Sequence, residues 1–235
     1  MLDGKVKMNS LFCLPEYYLI EESSPTSAGN YEWFIKQLLP EVREEAKKSG
    51  RNVYDIFNEW VESIAPEEFV PVFLPFLMGS NVHPNAKGTF VGLSTNHTRK
   101  HMLRSVYEGI AFCHRAHFDK LMSTRETAPK CIRLAGGAAR SAVWTQRFAD
   151  IMNQPIVTVD ANETGALGCA ISVAAATGEY ATLAEAAANM SSFSDPVYPN
   201  PEKVAVYEKK YQLYCKAIEC LDGLWPQMQD MIDGK

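Results

Sequence analysis

The sequence predicts an α/β protein, a mixed sheet flanked by helices. Three observations carry that reading. The last two-fifths of the chain alternates strand-like and helix-like segments, the pattern of helices layered on a sheet. The 235 residues are 46% hydrophobic and 22% charged, a globular composition with enough chain to build a core without disulfide or metal staples. A glycine pair, Gly136-Gly137, sits where a predicted strand hands over to a helix.

The elements follow in order. Residues 10–22 hold SLFCL and EYYLIEE, two short strands around Pro15. SSPTSAGN is a loop, and Trp33, Phe34, Gln37 and Leu38 then recur at helical spacing. Residues 40–52 are charged and polar, a solvated helix face and turn. Apolar residues at 53, 56, 57, 60, 61 and 64 mark an amphipathic helix. FVPVFLPFLMG is a strand cut short by Pro71 and Pro75. NVHPNAK is a loop and GTFVGLS a strand. Thr98 is placed to cap a long helix that carries Leu103, Val106, Ile110, Cys113, His117 and Leu121 at steps of three and four. CIRLAGG then reads as a strand, SAVWTQRFADIMN as a helix and IVTV as a strand. Residues 165–178 form a helix of small residues on every side, expected to be buried between layers. ATLAEAAANM is another helix, and residues 201–228 read as one long last helix.

Several functional classes are disfavoured. Twenty-three basic against 28 acidic residues give a net charge of −5, whereas a nucleic-acid binder usually presents a basic face. The longest small-apolar stretch, 165–178, is too short for the roughly 20 residues of a membrane span. MLDGKVKMNS has no apolar h-region, and the six cysteines form no CxxC pair, so a reduced, cytoplasmic setting is expected. His114 and His117 share a helix face beside Cys113, but neither HExxH nor CxxC accompanies them, so packed histidines are expected rather than zinc ligands. GxSxG, GxGxxG and the Walker loop are all missing, which argues against a hydrolase triad and an oxidoreductase.

Chemistry is expected where glycines meet helix starts. A strand end followed by Gly136-Gly137 lies at the sheet edge where α/β proteins bind ligands, and the glycines let a flat base or a phosphate approach the backbone. Ser141 is placed to cap the next helix, whose first N–H groups face an anion. Ser27-Ala28-Gly29-Asn30 is a second small-residue loop opening a helix, and the loop 79–85 is a third candidate. A tight strand-to-helix turn and an ordinary N-cap are the bland alternatives.

Residues 88–108, GTFVGLSTNHTRKHMLRSVYE, resemble the C-terminal signature of the FGGY carbohydrate kinases. Gly88, Phe90, Gly92 and Leu93 fit its first half, and His101, Met102, Ser105, Val106, Tyr107 and Glu108 its second. IRLAGGAARSAVWTQRFADIMNQPI is similar to the family's adenosine-binding strand, glycine pair and helix. ETGALGCAISVAAATGEY is similar to its small-residue helix, SPTSAGNYEWF to the loop and helix over the base, and FLPFLMGSN to the loop before the signature. The resemblance spans nearly the whole chain. It implies an actin/hexokinase-type, ribonuclease H-like fold. It also implies that residues 1–235 are a single C-terminal, nucleotide-binding domain of a two-domain sugar kinase, because the Asp-x-Gly-Thr phosphate hairpin and the aspartate base of the N-terminal domain have no counterpart in the sequence.

The activity implied is transfer of the γ-phosphoryl group of ATP to a ketopentose hydroxyl, L-xylulose first, with this chain alone inactive. The cofactors implied are ATP and Mg²⁺, the metal held with the N-terminal domain. Gly136, Gly137, Ala138 and Ser141 would form one wall of the nucleotide site and Ala28 and Gly29 the other, while Tyr107 and Glu108 are structural. The partners expected are ATP or ADP and a sugar held mainly by the N-terminal domain, with a homodimer left open and neither nucleic acid nor membrane expected. The alternative is a non-catalytic actin-like module for nucleotide binding or oligomerisation.

Overall fold

The computed structural model describes residues 8–161 and 163–234. Most of the N-terminal segment read for a leader lies outside them. The chain forms two compact units. One comprises the described residues up to Glu22 together with Phe118–Pro199, and the other Ser23–His117 together with the residues from Asn200 on.

In the first unit, β1 (Met8–Leu11) and β2 (Tyr18–Glu21) pair antiparallel with Leu11 opposite Tyr18; two short strands flank Pro15 as expected, the first beginning at Met8 rather than Ser10. β5 (Ile132–Leu134) and β6 (Ile156–Thr158) pair in parallel, which requires a crossover, and α5 (Ala142–Met152) supplies it. Trp144 and Phe148, one turn apart on α5, are buried and stacked. Bridges from Ile156 to Val197 and from Val159 to Phe193 extend the pairing beyond β6. α6 (Thr164–Ala176) and α7 (Leu183–Met190) complete the unit.

Helix α6 is not buried between layers. Ile171 is its one buried residue, and Val173 is 60% exposed. Small apolar side chains on every side leave the helix without a dominant face, so composition alone does not say what covers it. It packs against α7 and leaves most of its surface to solvent.

The second unit holds α1 (Ala28–Leu38), α2 (Pro40–Ser49), α3 (Val53–Glu62), the antiparallel pair β3 (Val72–Leu74) and β4 (Thr89–Val91), most of α4 (Arg99–Met122), α8 (Pro201–Leu221) and α9 (Trp225–Asp233). Strands among the described residues thus pair both ways, in three two-stranded sheets rather than one continuous sheet. The long last helix expected over 201–228 is two helices. α8 ends at Leu221 and α9 restarts with Pro226 in its first turn, the one place where a helix tolerates proline's missing N–H. No helix among the described residues is long and apolar enough to cross a membrane.

The core of the second unit runs along α4, which is buried continuously from Leu103 to Cys113. Phe112 meets Tyr207, Tyr211 and Tyr214 of α8. Tyr107 packs edge-on against Tyr31, and its hydroxyl donates to Asn58 Oδ1 at 3.2 Å. Burial, with a second phenol alongside, pushes Tyr31 far above the ordinary tyrosine range. Gly109 sets how near α4 lies to β3, because a Cβ there would overlap the Phe73 carbonyl. A backbone carbonyl does not swing aside, so Gly109→Ala is expected to lower stability by about 3 kcal/mol, the upper end of overpacking costs. Urea unfolding of the variant against the parent chain measures this.

Candidate functional site

The signature segment is a set of packing devices. Phe90 sits 4.6 Å from the Phe73 ring, and a Cβ at Gly88 would run into Leu77. Gly92 has φ +88°, a left-handed backbone that favours glycine. At the start of α4 the Thr98 N–H donates to His101 Nδ1 at 3.1 Å, and the Thr98 hydroxyl lies 2.9 Å from the same nitrogen. An Nδ1 that accepts carries no proton of its own, so Nε2 donates to Glu68 Oε1 at 2.8 Å. Ser105 donates to the His101 carbonyl at 2.9 Å. Tyr107 and Glu108 are buried, in agreement with a structural role.

Arg104 was not legible as a key residue. Its guanidinium is 1% exposed. Nε donates to Glu108 Oε1 at 2.7 Å, Nη1 to the carbonyls of Val61 at 2.8 Å and Ile64 at 2.6 Å, and Nη2 to the Tyr207 hydroxyl at 2.9 Å. The one local signal was an Arg–Glu pair at i,i+4 among the apolar positions of a helix.

The glycine pair lies in the first unit. Gly136 has φ +84° and ψ −163°, a region essentially reserved for glycine. Gly137 opens a single 3₁₀ turn, Gly137–Arg140. A Cβ at either glycine would have no atom within 4 Å, so the backbone here faces open space. Ala138 and Ser141 are half-buried beside it. Ser141 caps α5, its Oγ accepting from the Trp144 N–H at 3.2 Å. These four residues form one surface: a strand end, an open glycine turn and a helix start.

Ala28 and Gly29 belong to the second unit. They are the first two residues of α1 rather than a loop before it, and both are exposed. A Cβ on Gly29 would stand 3.0 Å from Thr26 Oγ1, so glycine fits closely here. Asn30 is fully buried. Its Nδ2 donates to the Thr26 and Ser27 carbonyls at 3.4 and 3.1 Å, and its Oδ1 takes no partner among the described residues. His114 Nε2 lies 2.6 Å from Ser27 Oγ. Burial, and then the His117 ring alongside, lower His114 to about 4, so its imidazole is neutral at neutral pH. His114 is thus a packed histidine, as expected, with a partner 87 residues away that no local pattern could reveal.

The third candidate, 79–85, is tied down internally. Ser80 Oγ accepts from the Val82 N–H, His83 Nδ1 from the Asn85 N–H, and the His83 ring rests 5.8 Å from buried Trp225. Among the described residues no three His, Cys, Asp or Glu side chains gather to hold a metal ion. The described residues therefore offer the Mg²⁺ implied by the resemblance no such cluster.

The fold is of the actin and hexokinase type. The profile of the FGGY family of carbohydrate kinases, C-terminal domain, matches residues 3–177, and the chain belongs to that family. It is 33% identical over 213 residues to an L-xylulose/3-keto-L-gulonate kinase of Escherichia coli, covering 91% of this chain and 40% of that protein. A probable L-xylulose kinase of Haemophilus influenzae is 34% identical over 88% of this chain and 39% of its own length. Among solved structures, a ligand-bound xylulose kinase from Lactobacillus acidophilus superposes with a TM-score of 0.76 at 26% identity, over 90% of this chain and 41% of that one. The chain thus spans about two-fifths of the length of these curated relatives.

The two glycines separate in their demands. Gly136→Ala is expected to cost about 1–3 kcal/mol of stability, the price of forcing a side chain into a glycine-only conformation. Gly137→Ala, with an ordinary φ and open space above it, should stay within about 0.5 kcal/mol of the parent. Thermal and urea unfolding of the pair measure the contrast.

Proposed function

We propose that this chain is the nucleotide-binding half of a sugar kinase that transfers the γ-phosphoryl group of ATP to a ketopentose hydroxyl, with L-xylulose the acceptor. The observation that carries this reading is the open backbone at Gly136-Gly137, between a parallel strand and a capped helix, in a chain of the FGGY family. The identity to L-xylulose kinases supports the choice of sugar.

The residues have distinct roles in this reading. Gly136 gives the turn its shape, and Gly137 and Ala138 leave room for adenine or ribose against the main chain. The Ser141 hydroxyl accepts the Trp144 N–H and adds a polar edge at the same surface. Ala28 and Gly29 offer, on their own unit, the first N–H groups of α1 to acceptor oxygens of the nucleotide. ATP supplies the phosphoryl group, and what these residues do is bind and orient its adenosine end. Phosphoryl transfer rests largely on positioning and charge stabilisation, so such placement is a substantial share of the catalysis.

Two outcomes test this. Calorimetric titration should show ADP binding to the parent chain and no binding to Gly137→Val, whose branched side chain fills the space read as that of the base. Equal affinity for both would remove the site from this turn. The 235-residue chain by itself is expected to release no ADP with L-xylulose, D-xylulose or related polyols in a coupled assay. Its sequence carries no Asp-x-Gly-Thr hairpin, and a positioned base alone is worth about 10²–10⁴ in rate. Sugar-dependent turnover by this chain would mean that the catalytic groups lie within it.

A further inference from the structure

The glycine turn has a neighbour on the next strand. β5 and β6 run in parallel with Leu134 opposite Thr158 as the last pair, and the Val159 N–H still donates to the Leu134 carbonyl at 3.3 Å. The same register carried two residues on sets Asp160 beside Gly136, at the carboxyl end of the pair. Adjacent strands lie about 5 Å apart, so residue 160 borders the open space over Gly136 and Gly137.

Asp160 is held there by its backbone. Its N–H donates to the Ser192 carbonyl at 3.0 Å, the preceding Val159 bridges to Phe193, and the Ala161 N–H turns back to the Val159 carbonyl at 2.9 Å, which ends the strand. The carboxylate takes little part in this. It belongs to an exposed residue, and its partner among the described residues is the Ser192 hydroxyl, 3.4 Å from Oδ2 and beyond the usual O–H···O range. Aspartate is depleted in strands, so a fixed strand end with a nearly unengaged carboxylate is not explained by folding.

The chemistry of the group decides what it can take. An ionised carboxylate only accepts hydrogen bonds, and it repels phosphate. Within a nucleotide, the ribose offers two adjacent hydroxyl donors, which the two carboxylate oxygens match. A glycine turn after one parallel strand, with an acid at the end of the next, is a general arrangement for this contact. The glycines admit the nucleotide to the main chain, and the acid accepts a ribose hydroxyl. Here the unit runs β5, Gly136-Gly137, α5, β6, Asp160. We infer that Asp160 recognises ribose, its carboxylate accepting the 2′- and 3′-hydroxyls of a nucleotide that lies against Gly136 and Gly137. This rests on the nucleotide reading given above.

The test is calorimetric titration of the parent chain, Asp160→Ala and Asp160→Asn with ADP, 2′,3′-dideoxy-ADP and inosine diphosphate, with thermal unfolding to confirm that each variant folds. The parent is expected to bind ADP about tenfold more tightly than the dideoxy compound, the scale of a hydrogen bond to a charged group. Asp160→Ala brings ADP down to the dideoxy level and leaves the dideoxy compound where it was. Asp160→Asn, which keeps one acceptor oxygen, retains part of the preference. A merely structural aspartate would weaken both ligands together. If the parent binds ADP without preferring it to the dideoxy compound, or if Asp160→Ala keeps the preference or weakens both alike, ribose recognition by Asp160 is overturned while the nucleotide reading stands. If Asp160→Ala instead abolishes a preference for ADP over inosine diphosphate, the carboxylate reads the base amine and the inference is equally overturned. If the parent chain binds no ADP, the nucleotide reading fails and this inference falls with it.

Discussion

A single buried guanidinium ties together the second unit. Arg104 reaches the Val61 carbonyl in the last turn of α3 and the Ile64 carbonyl just beyond it through Nη1, the Glu108 carboxylate one turn along α4 through Nε, and Tyr207 of α8 through Nη2. Glu108 in turn receives Lys210 of α8 at 3.2 Å. Three helices that share no sequence neighbourhood are thereby fixed to one planar group. Burying such a charge is costly unless every donor is met, and removing one partner of a buried pair typically costs about 3–5 kcal/mol. The Val61 carbonyl is one of the acceptors that the end of a helix leaves unsatisfied, so the same guanidinium that Glu108 neutralises also helps finish α3.

This constraint gives the family signature a physical meaning. Gly88 and Gly92 shape the entry to and exit from β4, Phe90 packs that strand onto β3, and His101 terminates the start of α4. Tyr107 and Glu108 fill the interior between α1, α3 and α8. The pattern marks a packing solution for one long helix. The residues read as binding nucleotide lie elsewhere: at the start of α1 in the second unit, and at the β5–α5 turn in the first.

Much of the architecture was legible because local periodicity and punctuation determined it. The β1–β2 pair followed from apolar runs around Pro15, α3 from its single apolar stripe, and the β5–turn–α5 sequence from Gly136, Gly137 and Ser141. Where periodicity carried no direction, the reading failed. α6 is small and apolar all round, and such a helix looks the same buried or bare. The break between α8 and α9 was legible in Gly223 and Pro226, but the regular spacing on either side obscured it. The contacts that matter most to the site were beyond any local pattern. The Ser27–His114 bond joins residues 87 apart. Arg104 was not singled out by the sequence, because two of its partners are carbonyls from the end of another helix.

The central claim is the proposed one, that nucleotide binds at the open backbone of the Gly136-Gly137 turn in a chain of the FGGY family. The most direct measurement is an amide-resolved NMR titration of the ¹⁵N-labelled chain with ADP. The account predicts saturable shifts at Gly136, Gly137, Ala138 and Ser141 and at Ala28 and Gly29, with the loop 79–85 unmoved. Shifts confined to that loop or to the interior around Arg104 and Glu108, or no shift at millimolar ADP, would contradict it.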